Sequence, residues 1–146
     1  MRGQKLIAKW LAPEVKVVID ENEMSSFNLE ENLLTLGRDN EGGCHWFYEH
    51  IKERHNFAHA NRYSLLFWTL MHELGHYFTN ERAIEGEKEI YFRLLCAYLP
   101  KETAADKGWA YGYFDLTKEY QATEWAINFI KNHRFRARLY NWIAKH

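Results

Sequence analysis

The chain has 146 residues, of which 47% are apolar and 16% aromatic, with only eight glycines and two prolines. This composition excludes a disordered chain, and the length suits a single domain, residues 1–146, that buries its own core. Nineteen lysines and arginines nearly balance 20 aspartates and glutamates, so no overall attraction to nucleic acid or to an anionic membrane is expected.

The sequence also bears on the compartment. No stretch approaches the roughly 18 uninterrupted apolar residues of a membrane span, and residues 1–13 lack the apolar centre of a signal peptide. We therefore expect a cytoplasmic protein without a membrane partner. Cys44 and Cys96 form no CxxC pair, and in the absence of a secretion signal we expect two reduced, partly buried thiols.

The N-terminal quarter of the chain predicts one helix and two strands. Residues 4–11 have a helical pattern that Pro13 stops. Residues 15–19 alternate β-branched side chains, as a strand does, and a second strand is expected at residues 32–36. The polar run 20–26 is expected to form a turn between the strands, and residues 37–43 another turn after them.

The remainder of the chain is predicted to be mostly helical. A helix is expected after Gly43, followed by a long one at residues 62–78 with an apolar stripe on one side and polar chemistry on the other. Further helices are predicted within residues 84–99, at 117–131 and at 135–143, whereas residues 108–114 receive no assignment. The predicted fold class is α+β, a mostly helical single domain with a small N-terminal sheet packed near the long helix.

The long helix carries the sequence His72-Glu73-Leu74-Gly75-His76. Two histidines four residues apart project from one face of a helix and can reach the same cation. Neutral imidazole suits Zn²⁺, and a catalytic zinc site keeps one position for water. Glu73 can reach that water and act as its general base. The alternative is a pair of solvated histidines on an ordinary helix.

A third ligand is sought among the glutamates of residues 117–131. At about 100° per residue, Glu119 lies within about 20° of Ala126, inside the apolar stripe, whereas Glu124 points away from it. A carboxylate directed into a core needs a cation or several donors, and a metal held by the two histidines would meet that need. The alternative is an exposed Glu119 that the helix dipole favours.

Taken together, these residues resemble the gluzincin pattern, in which a downstream helix supplies a glutamate as third zinc ligand. Residues 69–78, TLMHELGHYF, and residues 119–126, EYQATEWA, are most similar to the ImmA/IrrE family of phage, mobile-element and bacterial metallopeptidases. The similarity covers about residues 62–130. It implies a zincin-like fold, Zn²⁺ bound by His72, His76 and Glu119, Glu73 as catalytic base, and a protein or peptide substrate such as a transcriptional repressor.

Some positions depart from the family pattern or stay open. Thr123 stands where family members often have an acidic residue or Asn, which leaves open the hydrogen-bond partner of a ligand histidine. Residues 80–115 form a longer, aromatic segment that is interpreted as a cover over the cleft. A donor for the oxyanion is also expected, and the candidates are Tyr111, Tyr113 and His133.

Two other functions compete with a zinc peptidase. The first is a non-catalytic zinc-binding regulatory or interaction protein, in which a fourth protein ligand would complete the coordination of the metal. The second, a DNA-associated SprT-like protease, is disfavoured because such proteins use a third histidine and commonly a zinc ribbon. The basic run at residues 131–138 is interpreted as a solvated helix end. Scattered surface histidines, not a second metal site, are expected at His45, His50, His55 and His59.

Overall fold

The computed structural model describes residues 2–37, 41–79 and 107–146, and only the backbone of residues 41–44 and 107–109. A short 3₁₀ helix lies at Ala60–Arg62. The other elements, in chain order, are α1 (Arg2–Leu11), β1 (Lys16–Ile19), β2 (Ser26–Asn28), β3 (Leu33–Leu36), α2 (Glu41–Arg54), α3 (Leu65–Thr79), α4 (Lys107–Phe114), α5 (Thr117–Asn132) and α6 (Arg134–Ala144).

The three strands form one small sheet in the order β1-β3-β2. In the centre, β3 pairs in parallel with β1 and antiparallel with β2, so that Leu34 lies between Val17 and Phe27. Leu34 and Leu36 are fully buried. Strands β1 and β3 confirm the predictions to within one residue. The predicted turn at residues 20–26 is partly wrong, because Ser26 begins β2.

Helix α3 is the centre of the core. Five of its side chains are fully buried: Phe67, Trp68, Leu70, Met71 and Leu74. The helix begins three residues later than predicted, because Ser64 caps it, its Oγ accepting a hydrogen bond from the backbone N–H of Phe67 at 3.2 Å. Strands β2 and β3 contact α3. The α+β class, mostly helical with a small sheet near the long helix, is therefore confirmed.

Helices α3 and α5 approach each other unusually closely. A Cβ atom at Gly75 would lie 2.4 Å from the carbonyl oxygen of Ala122, so only glycine fits there without a shift of one backbone. Farther along the same contact, the rings of Phe78 and Trp125 stack at 4.6 Å. This contact places the residues of the HELGH motif directly against α5.

The C-terminal helix packs against the N-terminal one. A Cβ atom at Gly3 of α1 would lie 1.9 Å from the carbonyl oxygen of Ile143 in α6. The predicted helix at 135–143 is confirmed as α6, and the unassigned residues 108–114 belong to α4. The start of α2 at Glu41 shows that the turn expected at 37–43 is wrong from residue 41 onward. The helix predicted within 84–99 lies outside the described residues.

Within the described ranges 2–37, 41–79 and 107–146, no helix has both the length and the apolar character needed to cross a bilayer.

Candidate metal centre

His72 and His76 lie one turn apart on α3 and face the first turn of α5. Both are buried, and their Nε2 atoms converge on Oε2 of Glu119, at 2.7 Å and 3.2 Å respectively. Glu119 is itself only 7% exposed. The inward direction predicted for Glu119 is confirmed. The alternatives of solvated histidines and an exposed glutamate are wrong, because the close contact of α3 and α5 removes all three side chains from solvent.

Glu73 lies at the border of this group. Its side chain is 12% exposed, and its Oε2 atom is 4.0 Å from Nε2 of His76. The ligand atoms of His72, Glu73 and His76 all lie within 4.8 Å of one another, so these residues could hold a metal ion. Of the two carboxylates, Glu119 lies 2.7 Å and 3.2 Å from the two Nε2 atoms, whereas Glu73 lies 4.0 Å from Nε2 of His76. Glu119 is therefore the carboxylate in closest contact with both histidines, and Glu73 lies at the border of the group.

The remaining nitrogen of His72 has a partner on α5. Its Nδ1 atom lies 2.9 Å from Oγ1 of Thr123, and that threonine is 1% exposed. When Nε2 faces a cation, Nδ1 carries the hydrogen and donates it to the hydroxyl, which fixes both the tautomer and the ring orientation. Thr123 is thus the hydrogen-bond partner of His72, which the sequence alone left open. Within the described part of the chain, Nδ1 of His76 is buried without a hydrogen-bond partner.

Burial and mutual contacts shift the pKa values of Glu119, His72 and His76. Burial would raise the pKa of Glu119, but hydrogen bonds and charge from His72 and His76 hold that pKa well below 4.5. Burial would lower the pKa of His72, yet the bond to Glu119 and its charge raise it. The pKa of His76 is lowered, first by burial. Without a metal, the 2.7 Å contact between Nε2 of His72 and Oε2 of Glu119 holds one hydrogen, and a cation at the Nε2 atoms would displace it.

The spacing of the donor atoms suits a tetrahedral ion. Two ligand atoms each about 2.0–2.1 Å from one such ion lie about 3.3 Å apart. The 3.2 Å between Nε2 of His76 and Oε2 of Glu119 agrees with that value. The 2.7 Å at His72 is a hydrogen-bond length, which the proton between the two atoms explains. A small movement of Glu119 would convert one arrangement into the other.

Of the three candidates for an oxyanion donor, the structure brings one to the group. The hydroxyl of Tyr113 donates to Oε1 of Glu119 at 3.1 Å, and burial together with the charges of Glu119 and Glu73 raises the pKa of Tyr113. Its hydroxyl therefore stays protonated at neutral pH, with its single hydrogen directed at Glu119. Tyr111 instead packs against His50, with ring centroids 5.1 Å apart. His133 is exposed at the opposite end of α5, about 21 Å along the helix from Glu119.

Two of the four histidines predicted to lie on the surface are buried. Nε2 of His50 lies 2.7 Å from Oδ1 of Asp115, and Nδ1 of His55 lies 2.5 Å from Oε2 of Glu124. The two rings are 5.4 Å apart. The prediction is therefore wrong for this pair, whereas His45 and His59 are exposed. The carboxylate partners of His50 and His55 lie more than 60 residues away in the sequence, so the local spacing of the histidines does not indicate their burial.

A comparison with models of protein families found no match, and searches of curated proteins and of solved structures found none either. Interpretation of the centre therefore depends on its own residues and their geometry.

Proposed function

We propose that this protein is a zinc-dependent metallopeptidase in which His72, His76 and Glu119 bind Zn²⁺ and Glu73 is the general base. One observation carries the proposal: two imidazole nitrogens from α3 and one carboxylate oxygen from α5 meet in a buried group, with a second carboxylate at its border. The resemblance of residues 62–130 to the ImmA/IrrE family supports the same chemistry.

The donor set favours zinc among divalent ions. Imidazole nitrogen and carboxylate oxygen are both zinc ligands, and three protein ligands leave one position for water. Bound zinc lowers the pKa of that water toward neutrality and polarises a substrate carbonyl. A divalent cation would also compensate the buried carboxylate of Glu119 more fully than its hydrogen bond with His72 does.

The protein's own groups divide the remaining work. The Glu73 carboxylate, 4.0 Å from Nε2 of His76, takes the proton of the attacking water and returns it to the amine that leaves. The hydroxyl of Tyr113, kept protonated, donates its single hydrogen to Glu119 and would turn from that bond to donate to the developing oxyanion. The hydroxyl of Thr123 fixes the orientation of the His72 ring.

The substrate we propose is a protein or peptide, with a transcriptional repressor as the type that the family resemblance implies.

The test combines metal analysis with a conservative substitution. We expect about one zinc per chain in the purified protein, and its loss in His76→Ala. Glu73→Gln should keep the zinc and the fold but lower hydrolysis of a quenched fluorescent peptide library about 10²–10⁴-fold, the usual share of a general base. Glu31→Gln, the same change at an exposed position, is the matched control.

Two results would contradict the proposal in different ways. Protein purified without stoichiometric zinc, and unable to take it up, would remove the metal site. Zinc retained with no hydrolysis in the wild type, or with equal hydrolysis in Glu73→Gln, would leave the non-catalytic zinc-binding regulatory protein as the function.

A further inference from the structure

Helix α6 has apolar side chains on two opposite faces. One face is buried against α1, α3 and α5, and its members are Ala137, Tyr140, Asn141 and Ala144. The other face consists of Phe135, Leu139 and Trp142, which are 82%, 41% and 61% exposed. At about 100° per residue, these three lie within about 60° of one another and about 170° from the centre of the buried face.

This outer stripe (Phe135, Leu139 and Trp142) is a continuous apolar ridge and not a set of scattered residues. It runs about 10 Å along the helix, which is two turns. Single exposed apolar residues are common, whereas a contiguous row marks a contact surface. Among the described residues, Trp142 makes a ring contact with His146, and all three side chains of the ridge remain exposed.

The ridge has a strongly basic setting. Arg138 lies about 65° to one side of the stripe and Arg136 about 95° to the other. Helices α1 and α6, which pack together, contain three lysines and arginines each and no aspartate or glutamate. This concentration of positive charge occurs in a chain whose formal net charge is −1. A partner that covers the ridge must therefore bring negative charge to its rim.

We propose that the outer face of α6 docks an acidic amphipathic helix of a partner protein. An apolar centre with a charged rim is the usual anatomy of a protein interface, and a two-turn ridge matches the i, i+4, i+7 row of a helix. A second copy of the same face is excluded by charge, because it would set arginines against arginines. Nucleic acid would require cations along the centre of the contact, where this face has aromatic and aliphatic groups.

The docking surface is separate from the metal centre. Glu119 lies in the first turn of α5, and α6 follows the last turn of the same helix, which is about 24 Å long. The proposal therefore goes beyond the peptidase function, and binding at α6 does not require the metal. Glu73→Gln should bind a partner as the wild type does.

A display experiment tests the chemistry of the partner. Random 16-residue peptides are selected on the wild-type protein and counter-selected on the triple variant Phe135→Ser, Leu139→Ser, Trp142→Ser. We expect enrichment of sequences with apolar residues at helical spacing and Asp or Glu between them. By fluorescence polarisation, an enriched peptide should bind the triple variant at least about tenfold more weakly. Met24→Ser, at a position 67% exposed, is the matched control.

Charge is tested separately. Arg136→Gln with Arg138→Gln should weaken binding of the same peptide and reduce its dependence on salt. The proposal is overturned if no acidic amphipathic sequence is enriched, if a scrambled peptide binds equally well, or if a 20-nucleotide oligo-dT or phosphatidylserine vesicles compete more strongly than the peptide. Circular dichroism checks folding, and the single variant Phe135→Ser, at the most exposed position, replaces the triple variant should that variant unfold.

Discussion

Replacing Gly75 by alanine should separate the two helices that build the metal centre. The added Cβ atom would lie 2.4 Å from the carbonyl oxygen of Ala122, whereas an ordinary contact begins at 3.4 Å. Relief of the clash requires a movement of about 1 Å, because the obstacle is backbone and cannot rotate away. The same movement would lengthen the 2.7 Å contact between His72 and Glu119 beyond hydrogen-bond distance.

The cost can be estimated from two opposing terms. Overpacking of this kind costs about 1–3 kcal/mol, and the higher helix propensity of alanine returns about 0.8–1 kcal/mol. We therefore expect Gly75→Ala to lower the free energy of unfolding by up to about 2 kcal/mol. A misplacement of about 1 Å should also lower peptidase activity about 10²-fold and weaken zinc binding.

Gly3→Ala provides the control, since its Cβ atom would meet the backbone of Ile143 in the contact between α1 and α6. Urea unfolding and competition for zinc with a chelator are measured on both variants, at a temperature where both are folded. Both should lose stability, and only Gly75→Ala should lose zinc affinity. Equal zinc affinity in Gly75→Ala and the wild type would refute the argument that this glycine sets the geometry of the centre.

Three further predictions address single groups. Thr123→Val should weaken zinc binding about 10–100-fold in chelator competition while Thr123→Ser keeps it, and equal affinities would show that the hydroxyl does not hold His72. Burial lowers the pKa of His55 in the folded protein, so just below pH 6.5 the unfolded chain binds more protons than the folded one. The free energy of unfolding of the metal-free protein, measured in urea titrations, should therefore fall as the pH drops below 6.5. In His55→Gln this fall should be smaller. The pKa of Glu119 is depressed, so its carboxylate stabilises the metal-free fold above pH 4.5 and loses that effect as pH falls; Glu119→Gln should flatten this acid limb, and an unchanged limb would count against the pairing with His72.

The helices and the inward direction of Glu119 were predictable because the buried face of a helix has apolar residues at regular spacing in the sequence. The apolar residues of α3 and α5 recur at three and four positions, and Glu119 lies within the stripe of α5 that Ala126 marks. The two-histidine spacing likewise follows from helix geometry. The sequence therefore predicts which side chains each helix brings to the centre.

The missed features depend on contacts between distant segments. Strand β2 is three residues long with one apolar side chain, and it exists because β3 supplies its hydrogen bonds. His50 and His55 look polar in sequence, yet carboxylates from Asp115 and Glu124 make their burial tolerable. The bond from His72 to Thr123 similarly spans 51 residues. None of these contacts has a local signature.

The division of the centre between α3 and α5 also sets an order of events during synthesis. The HELGH pair leaves the ribosome first, and the long segment that follows must emerge before Glu119 and Thr123 become available. Until then the nascent chain offers two histidines without their carboxylate, a weak and unselective ligand set. Under the proposed metal assignment, capture of the ion would therefore wait until the two helices dock.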